Sequence, residues 1–322
     1  MTGAGQTSGS VSGGALPSYA SGPSATPLLG DTIGANLRRT ADRVPGNEAL
    51  VDVPSGRRWT YAELAADVDR LAGALLGSGI EPGDRVGIWA PNCPEWALLQ
   101  FATASVGAIL VTINPAYRTH ELEFVLNQAG IGHLVAASQF KTSDYEAMIA
   151  EVRPRCPELR TVTIIGSAEW ERLAGTDPDG PRLAEAATGL SADDPINIQY
   201  TSGTTGFPKG ATLSHLEQRV RSSASCAATP TPTAWASQCP LPLLRHDDGE
   251  PRLYDARRHH GHPGARLRPA ATLAALAEER CTSLYGVPTM FIAELADPGF
   301  EGHDLSSLRT GIMADRPAPS RS

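Results

Sequence analysis

Residues 96–117 read WALLQFATASVGAILVTINPAY, twenty-two positions without a charged side chain. Length alone would let such a run cross a bilayer. Its interior argues otherwise: Gln100, Thr103, Ser105, Thr112 and Asn114 interrupt the apolar surface, and Gly107 divides it. The half before the glycine has a helix-like composition. The half after it, Ile109-Leu110-Val111-Thr112-Ile113, is β-branched. A buried helix followed by a buried strand accounts for both halves, so no transmembrane segment is expected.

The same unit repeats on either side. Ile33, Leu37, Ala41 and Val44 mark one helical face, and Leu64, Val68, Leu71 and Leu75 another. Thr60 and Glu63 have the spacing of a capping box at the start of the second helix. Gly79 to Asp84 is a turn, and Arg85-Val86-Gly87-Ile88-Trp89 a short strand. Helices over 121–128 and 144–152 precede strands over 133–137 and 161–165, and Ile196-Asn197-Ile198-Gln199-Tyr200 is the next strand. Helices alternating with short strands predict an α/β fold, with right-handed crossovers and helices packed on mainly parallel sheets.

That last strand runs directly into Thr201-Ser202-Gly203-Thr204-Thr205-Gly206-Phe207-Pro208-Lys209-Gly210. Glycines let successive amides turn inward as an anion nest, hydroxyls add donors, and a lysine adds a point charge for phosphate oxygens. It is not a Walker A loop, because Gly210 stands where that loop needs Ser or Thr. The string also fits a Ser/Thr/Gly surface linker. Its place after an apolar strand, and its possession of one of only two lysines (the other is Lys141), favour phosphate binding.

The net charge of −8 argues against a nucleic-acid partner, which needs a basic face. Five cysteines at 93, 156, 226, 239 and 281 form no C-x-x-C pair, so neither a disulfide framework nor a zinc cluster is expected, and a reducing cytoplasm is the default compartment. Residues 1–28 are Gly, Ser, Thr, Ala and Pro with few large apolar side chains, and are expected to be a disordered tail without a secretory signal. The stretch 217–268 departs from the pattern. Its 52 residues hold only six of Val, Leu, Ile, Met and Phe, but eight arginines and four of the eight histidines. Neither a helical nor a strand period survives there, so it is expected to be disordered. His259, His260 and His262 lack regular zinc spacing, and no metal site is assigned. Order is expected to return over 269–314, with a helix from Ala270 to Arg280, a strand at Thr282-Ser283-Leu284-Tyr285 and a helix from Pro288 to Leu295.

Ile198 to Lys209 resembles the phosphate-loop signature of the AMP-binding, acyl-adenylate-forming enzymes: acyl-CoA synthetases, luciferases and peptide-synthetase adenylation domains. Thr60-Tyr61-Ala62-Glu63-Leu64 and Gly79-Ile80-Glu81-Pro82-Gly83-Asp84-Arg85-Val86 are similar to two further motifs of that family. Ile113-Asn114-Pro115-Ala116-Tyr117-Arg118, with Gln139-Phe140-Lys141-Thr142, looks most like its medium-chain fatty-acyl-CoA synthetase branch, and Tyr285-Gly286-Val287-Pro288-Thr289-Met290 like its Val-Pro-Thr helix start. The resemblance implies the N-terminal large-domain portion of the adenylate-forming fold. It also implies a carboxylic acid–CoA ligase using ATP, Mg²⁺ and CoA on a fatty acid or other carboxylic acid. On it, Thr201, Ser202, Gly203, Thr204, Thr205, Gly206, Phe207, Pro208 and Lys209 bind the nucleotide, with Lys209 and Thr201 in the catalytic role. Thr60, Glu63, Pro82, Gly83 and Trp96 keep structural roles.

The family's adenine, ribose and metal-binding glutamate motifs, its hinge and its small C-terminal domain find no counterpart, and no lysine follows Lys209. The resemblance therefore predicts 29–216 as an N-terminal α/β region ending in the phosphate loop, 269–314 as its resumption, 315–322 as a tail, and an incomplete, catalytically impaired chain. An inactive remnant that at most binds nucleotide is the alternative. The abrupt change at 217–268 and after 314 further predicts a shifted reading frame there, which the nucleotide sequence read in all three frames would test.

Overall fold

The computed structural model describes residues 30–201, 208–217, 243–247, 250–255, 269–286 and 288–313. The expected tails 1–28 and 315–322, Ser202 to Phe207 and most of 217–268, with His259, His260 and His262, lie outside the described residues. The chain opens with α1 (Ile33–Arg43), β1 (Glu48–Asp52), β2 (Arg57–Thr60) and α2 (Tyr61–Gly77). It then alternates through β3 (Arg85–Trp89), α3 (Pro94–Val106), β4 (Ile109–Thr112), α4 (Thr119–Gln128) and β5 (His133–Ala136). A short hairpin, β6 (Gln139–Phe140) and β7 (Ser143–Asp144), leads to α5 (Tyr145–Val152), β8 (Thr161–Ile164), α6 (Ala168–Ala174), α7 (Gly180–Thr188), β9 (Pro195–Thr201) and β10 (Lys209–Ser214). After these come β11 (Leu243–Asp247), β12 (Glu250–Asp255), α8 (Pro269–Glu278), β13 (Ser283–Gly286), α9 (Pro288–Leu295) and β14 (Thr310–Met313).

The uncharged run at 96–117 is half of one crossover. Pro94 starts α3, where a missing amide costs nothing, and Gly107 ends it at φ 76°, the left-handed position a C-cap needs. A Cβ on Gly107 would sit 2.7 Å from Leu190 Cδ2, so the helix end is closed by packing as well as by conformation. Every side chain of α3 is buried, and its one charged residue, Glu95 in the first turn, is paired with Arg57 at 2.7 Å. The capping box forms as expected: the Glu63 amide donates to Thr60 Oγ1 at 3.2 Å, and the Thr60 amide to Glu63 Oε2 at 2.8 Å.

One six-stranded sheet has the order β10-β9-β4-β3-β5-β8. All its neighbouring pairs are parallel except the edge pair β9–β10. Core side chains of α1, α2 and α3 join one apolar cluster and those of α4 and α5 another, as a parallel sheet with both faces covered requires. The second sheet, β14-β13-β11-β12-β1-β2, is mixed rather than mainly parallel. The short connections between β1 and β2 and between β11 and β12 leave room only for antiparallel return. The stretch 217–268, read from its sequence as lacking a strand period, supplies two inner strands here. Leu253, Tyr254 and Asp255 lie in parallel register with Leu50, Val51 and Asp52. That ladder is made by backbone groups, to which side-chain composition gives little clue.

Two polar ties join distant parts of the chain. Arg58 on β2 pairs with Glu48 and with buried Glu279, just past α8. His215, fully buried after β10, accepts the Ile33 amide on Nδ1 at 3.1 Å. That amide is one of the four at the start of α1 with no intrahelical partner, so a histidine 182 positions away caps the helix.

Candidate nucleotide-loop site

β9 and β10 form an antiparallel pair in which Thr201 faces Lys209 directly. The backbone of Thr201 ends one strand, and Lys209, with an exposed side chain, opens the next. The two residues assigned the catalytic role are thus brought opposite each other, with Pro208 beside them. Ser202, Gly203, Thr204, Thr205, Gly206 and Phe207, which span the gap, lie outside the described residues. The register is held by Gly210 opposite Tyr200. A Cβ on Gly210 would lie 2.9 Å from Ile198 Cγ2 and 3.4 Å from Tyr200 Cζ, so the absent side chain lets the Tyr200 ring close over the edge strand.

The pair sits where an open parallel sheet binds ligands, outside the carboxyl ends of its strands. β9 runs parallel to β4 with Gln199 beside Thr112. Thr201 lies two residues past this pairing on β9, and Asn114 two residues past it in the segment after β4.

The segment following β4 is tightly held. Trp89, the last residue of β3, donates its indole N–H to the Asn114 carbonyl at 3.1 Å. Tyr145, the first residue of α5, donates its hydroxyl to the Pro115 carbonyl at 2.5 Å. The two rings stack with centroids 3.5 Å apart and planes 7° from parallel. Asn114 Oδ1 accepts the Ala116 amide at 2.9 Å, and the Arg118 guanidinium donates to Ser143 Oγ at 2.9 Å. Burial raises the Tyr145 phenol well above its ordinary range. Tyr117 is raised by burial and then by Glu121, and Tyr200 by burial and then by Tyr117. All three hydroxyls therefore keep their protons at neutral pH.

Among the described residues, no group of three His, Cys, Asp or Glu side chains converges to hold a metal ion. No helix there is long and apolar enough to cross a membrane.

The profile described as "AMP-binding enzyme" matches residues 37–321. The chain belongs to this family. It is 37% identical over 330 residues to the mitochondrial medium-chain acyl-CoA ligase ACSF2 of Danio rerio, covering 94% of this chain and 54% of that protein. The ACSF2 of Macaca fascicularis is 38% identical over 338 residues, with 94% and 53% covered. The chain thus spans about half the length of these curated relatives. Among solved structures, the N-terminal domain of FACL13 from Mycobacterium tuberculosis superposes with a TM-score of 0.70 at 24% identity, over 90% of this chain and 71% of that one. This likeness carries the fold: the α/β large-domain portion expected of an AMP-binding enzyme.

Within the family frame, sequence reasoning singled out Asn114 to Arg118 as a motif but missed the groups that hold it. Trp89 read only as the end of a strand and Tyr145 only as part of a helix. Their one local signal is position, an aromatic at the last residue of a parallel strand and another at the first residue of a helix. His215 gave no signal beyond being a lone histidine after the loop.

Proposed function

We propose that this chain carries the triphosphate-gripping part of an ATP-dependent carboxylic acid–CoA ligase, whose substrate is a fatty acid of medium length. The observation that carries the reading is the pairing of Thr201 with Lys209 at the carboxyl edge of the parallel strands. It brings the two ends of a hydroxyl- and glycine-rich stretch together at the place where α/β sheets take their ligands. Membership of the AMP-binding enzyme family and the names of the ACSF2 relatives support the substrate class.

In the proposed reaction a carboxylate oxygen attacks the α-phosphorus of ATP, and the bond to the β-phosphate bridging oxygen breaks to release pyrophosphate. The CoA thiol then attacks the acyl carbonyl, giving up its proton, and AMP leaves with the electron pair of the acyl–oxygen bond. The part assigned to this chain is electrostatic. Loop amides, the hydroxyls of Thr201, Ser202, Thr204 and Thr205, and the Lys209 ammonium meet the charge that builds on the departing pyrophosphate. Mg²⁺ accompanies the triphosphate, and no step is assigned through it. Cytoplasm is the proposed compartment, from the scattered cysteines without a C-x-x-C pair, although the ACSF2 relatives are named mitochondrial.

The test is acid-dependent exchange of labelled pyrophosphate into ATP, alongside calorimetric titration with ATP, for the wild type and Lys209→Ala. Exchange with medium-chain acids that Lys209→Ala abolishes is the expected result. Binding without exchange would restrict the chain to holding nucleotide. Absence of both from folded protein refutes the proposal.

A further inference from the structure

We propose that the turn 114–118 is a rigid shelf that positions the β9–β10 pair, which sets Thr201 opposite Lys209, and that Trp89 and Tyr145 are the positioning residues that hold it. The inference rests on the nucleotide-loop reading above and adds to it two residues outside the loop.

The argument begins with what these side chains spend their hydrogen bonds on. Trp89 and Tyr145 are fully buried, and each carries a single polar hydrogen. Each gives it to one of two successive backbone carbonyls, Asn114 and Pro115. Both donors are buried, and a buried donor without an acceptor is costly. Two aromatic donors locked face to face therefore dictate where those carbonyls sit. The Asn114 side chain and the Arg118–Ser143 bond fix the two ends of the same turn. Asn114, Pro115 and Arg118 are thus tied to β3, α5 and β7, and the Asn114 carbonyl also accepts the Tyr117 amide at 3.0 Å.

The shelf reaches the β9–β10 pair by two routes. Through the backbone, β4 and β9 are paired in parallel up to Thr112 and Gln199, so the turn follows a strand adjacent to β9. Through side chains, Tyr117 on the turn and Tyr200 next to Thr201 pack against the same apolar cluster. The Tyr200 ring in turn lies against Gly210, the residue after Lys209. Displacing the turn displaces Tyr117, frees Tyr200, and loosens the register that sets Lys209 opposite Thr201.

Tyr145→Phe tests this, because it removes one hydroxyl and keeps the ring on Trp89. Amide hydrogen exchange is followed at Ala116, Tyr117 and Arg118, and at Lys209, Gly210 and Ala211, with ATP affinity measured by calorimetry. The expected result is exchange about fivefold to tenfold faster in both groups of amides and an ATP dissociation constant weakened by about the same factor, the size of one lost neutral hydrogen bond. Trp89→Phe, which removes the other donor, is expected to act in the same direction. Faster exchange confined to 116–118, with strand-pair exchange and ATP affinity unchanged, overturns the proposal, since the turn would then be local structure only. If the wild type itself has no ATP affinity, the ligase reading falls and the exchange comparison alone decides: acceleration at 209–211 upholds the positioning role, and its absence ends it.

Discussion

His215 offers the most direct check on how this chain is held together, because its two ring nitrogens do opposite things. Nδ1 accepts the Ile33 amide at 3.1 Å, so the neutral ring carries its proton on Nε2, which has no partner. Burial pushes the imidazole down from 6.5 to about 4, against a smaller upward pull from Asp194. The sign follows from proton counts. Between pH 6.5 and 4 the unfolded chain holds a proton on this residue that the folded chain refuses, so stability falls as the pH is lowered through that window. A drop from 6.5 to about 4 corresponds to about 3 kcal/mol of linked stability. His215→Asn keeps an acceptor where Nδ1 stood and removes the titration. Urea melts of the two proteins from pH 7.5 to 4 should therefore converge or cross, the wild type losing about 3 kcal/mol more than the variant. His133, also pushed down by burial and by Arg160, titrates in both proteins and cancels in the difference. At pH 7 His215→Ala should be less stable than His215→Asn by about 1–3 kcal/mol, the cost of leaving the Ile33 amide unpaired. Curves that stay parallel down to pH 4 would refute the buried, neutral assignment.

Three further outcomes are expected. Gly107→Ala should destabilise by more than the roughly 1–2 kcal/mol of a left-handed alanine, because its Cβ also meets Leu190 Cδ2 at 2.7 Å; a thermal melt lowered by less than about 2 °C contradicts this. Thr60→Ala removes the acceptor for the Glu63 amide at the start of α2 and should cost about 1 kcal/mol in urea unfolding, and an unchanged midpoint would argue that the cap is idle. Arg58→Ala leaves Glu279 buried without its guanidinium partner, and should expose α8 to proteolysis before the parallel sheet. Cleavage beginning in α4 or α5 instead would show that this tie does not anchor α8.

The parallel sheet was legible in the sequence for a physical reason. Strands buried on both faces tend to be short and β-branched, and the helices between them amphipathic or, like α3, buried all round. Those demands write themselves locally, so β3, β5 and β8 fall within a residue of their expected ends. β1 and β10 escaped because nothing in five or six residues of mixed character distinguishes a strand from a turn. Lys209 to Thr212 are exposed, and the ladder to β9 is what makes them a strand. The hairpin within 217–268 is the extreme case, since its place beside β1 is set by backbone pairing across some 200 positions.

The candidate site divides along the same line. Its proposed loop could be picked out because phosphate recognition needs glycines, hydroxyls and a cation close together in sequence, and that requirement leaves a string to read. What supports the loop was not, because the supporting contacts join residues far apart: Trp89 with Tyr145, Tyr145 with Pro115, His215 with Ile33. An aromatic ring in a core looks the same in sequence whether its polar hydrogen is spent on a chance carbonyl or on the one that places a binding loop. The two can be told apart only by asking which backbone groups would lose their partner if the ring were replaced. Here the Pro115 carbonyl would lose the Tyr145 hydroxyl and the Asn114 carbonyl would keep only the Tyr117 amide, in a turn that follows the strand beside β9. On the proposed reading, the grip on a triphosphate depends on side chains outside the loop, and Tyr145→Phe, which removes one of those hydrogen bonds and keeps the ring, reads that dependence at 209–211 and in ATP affinity.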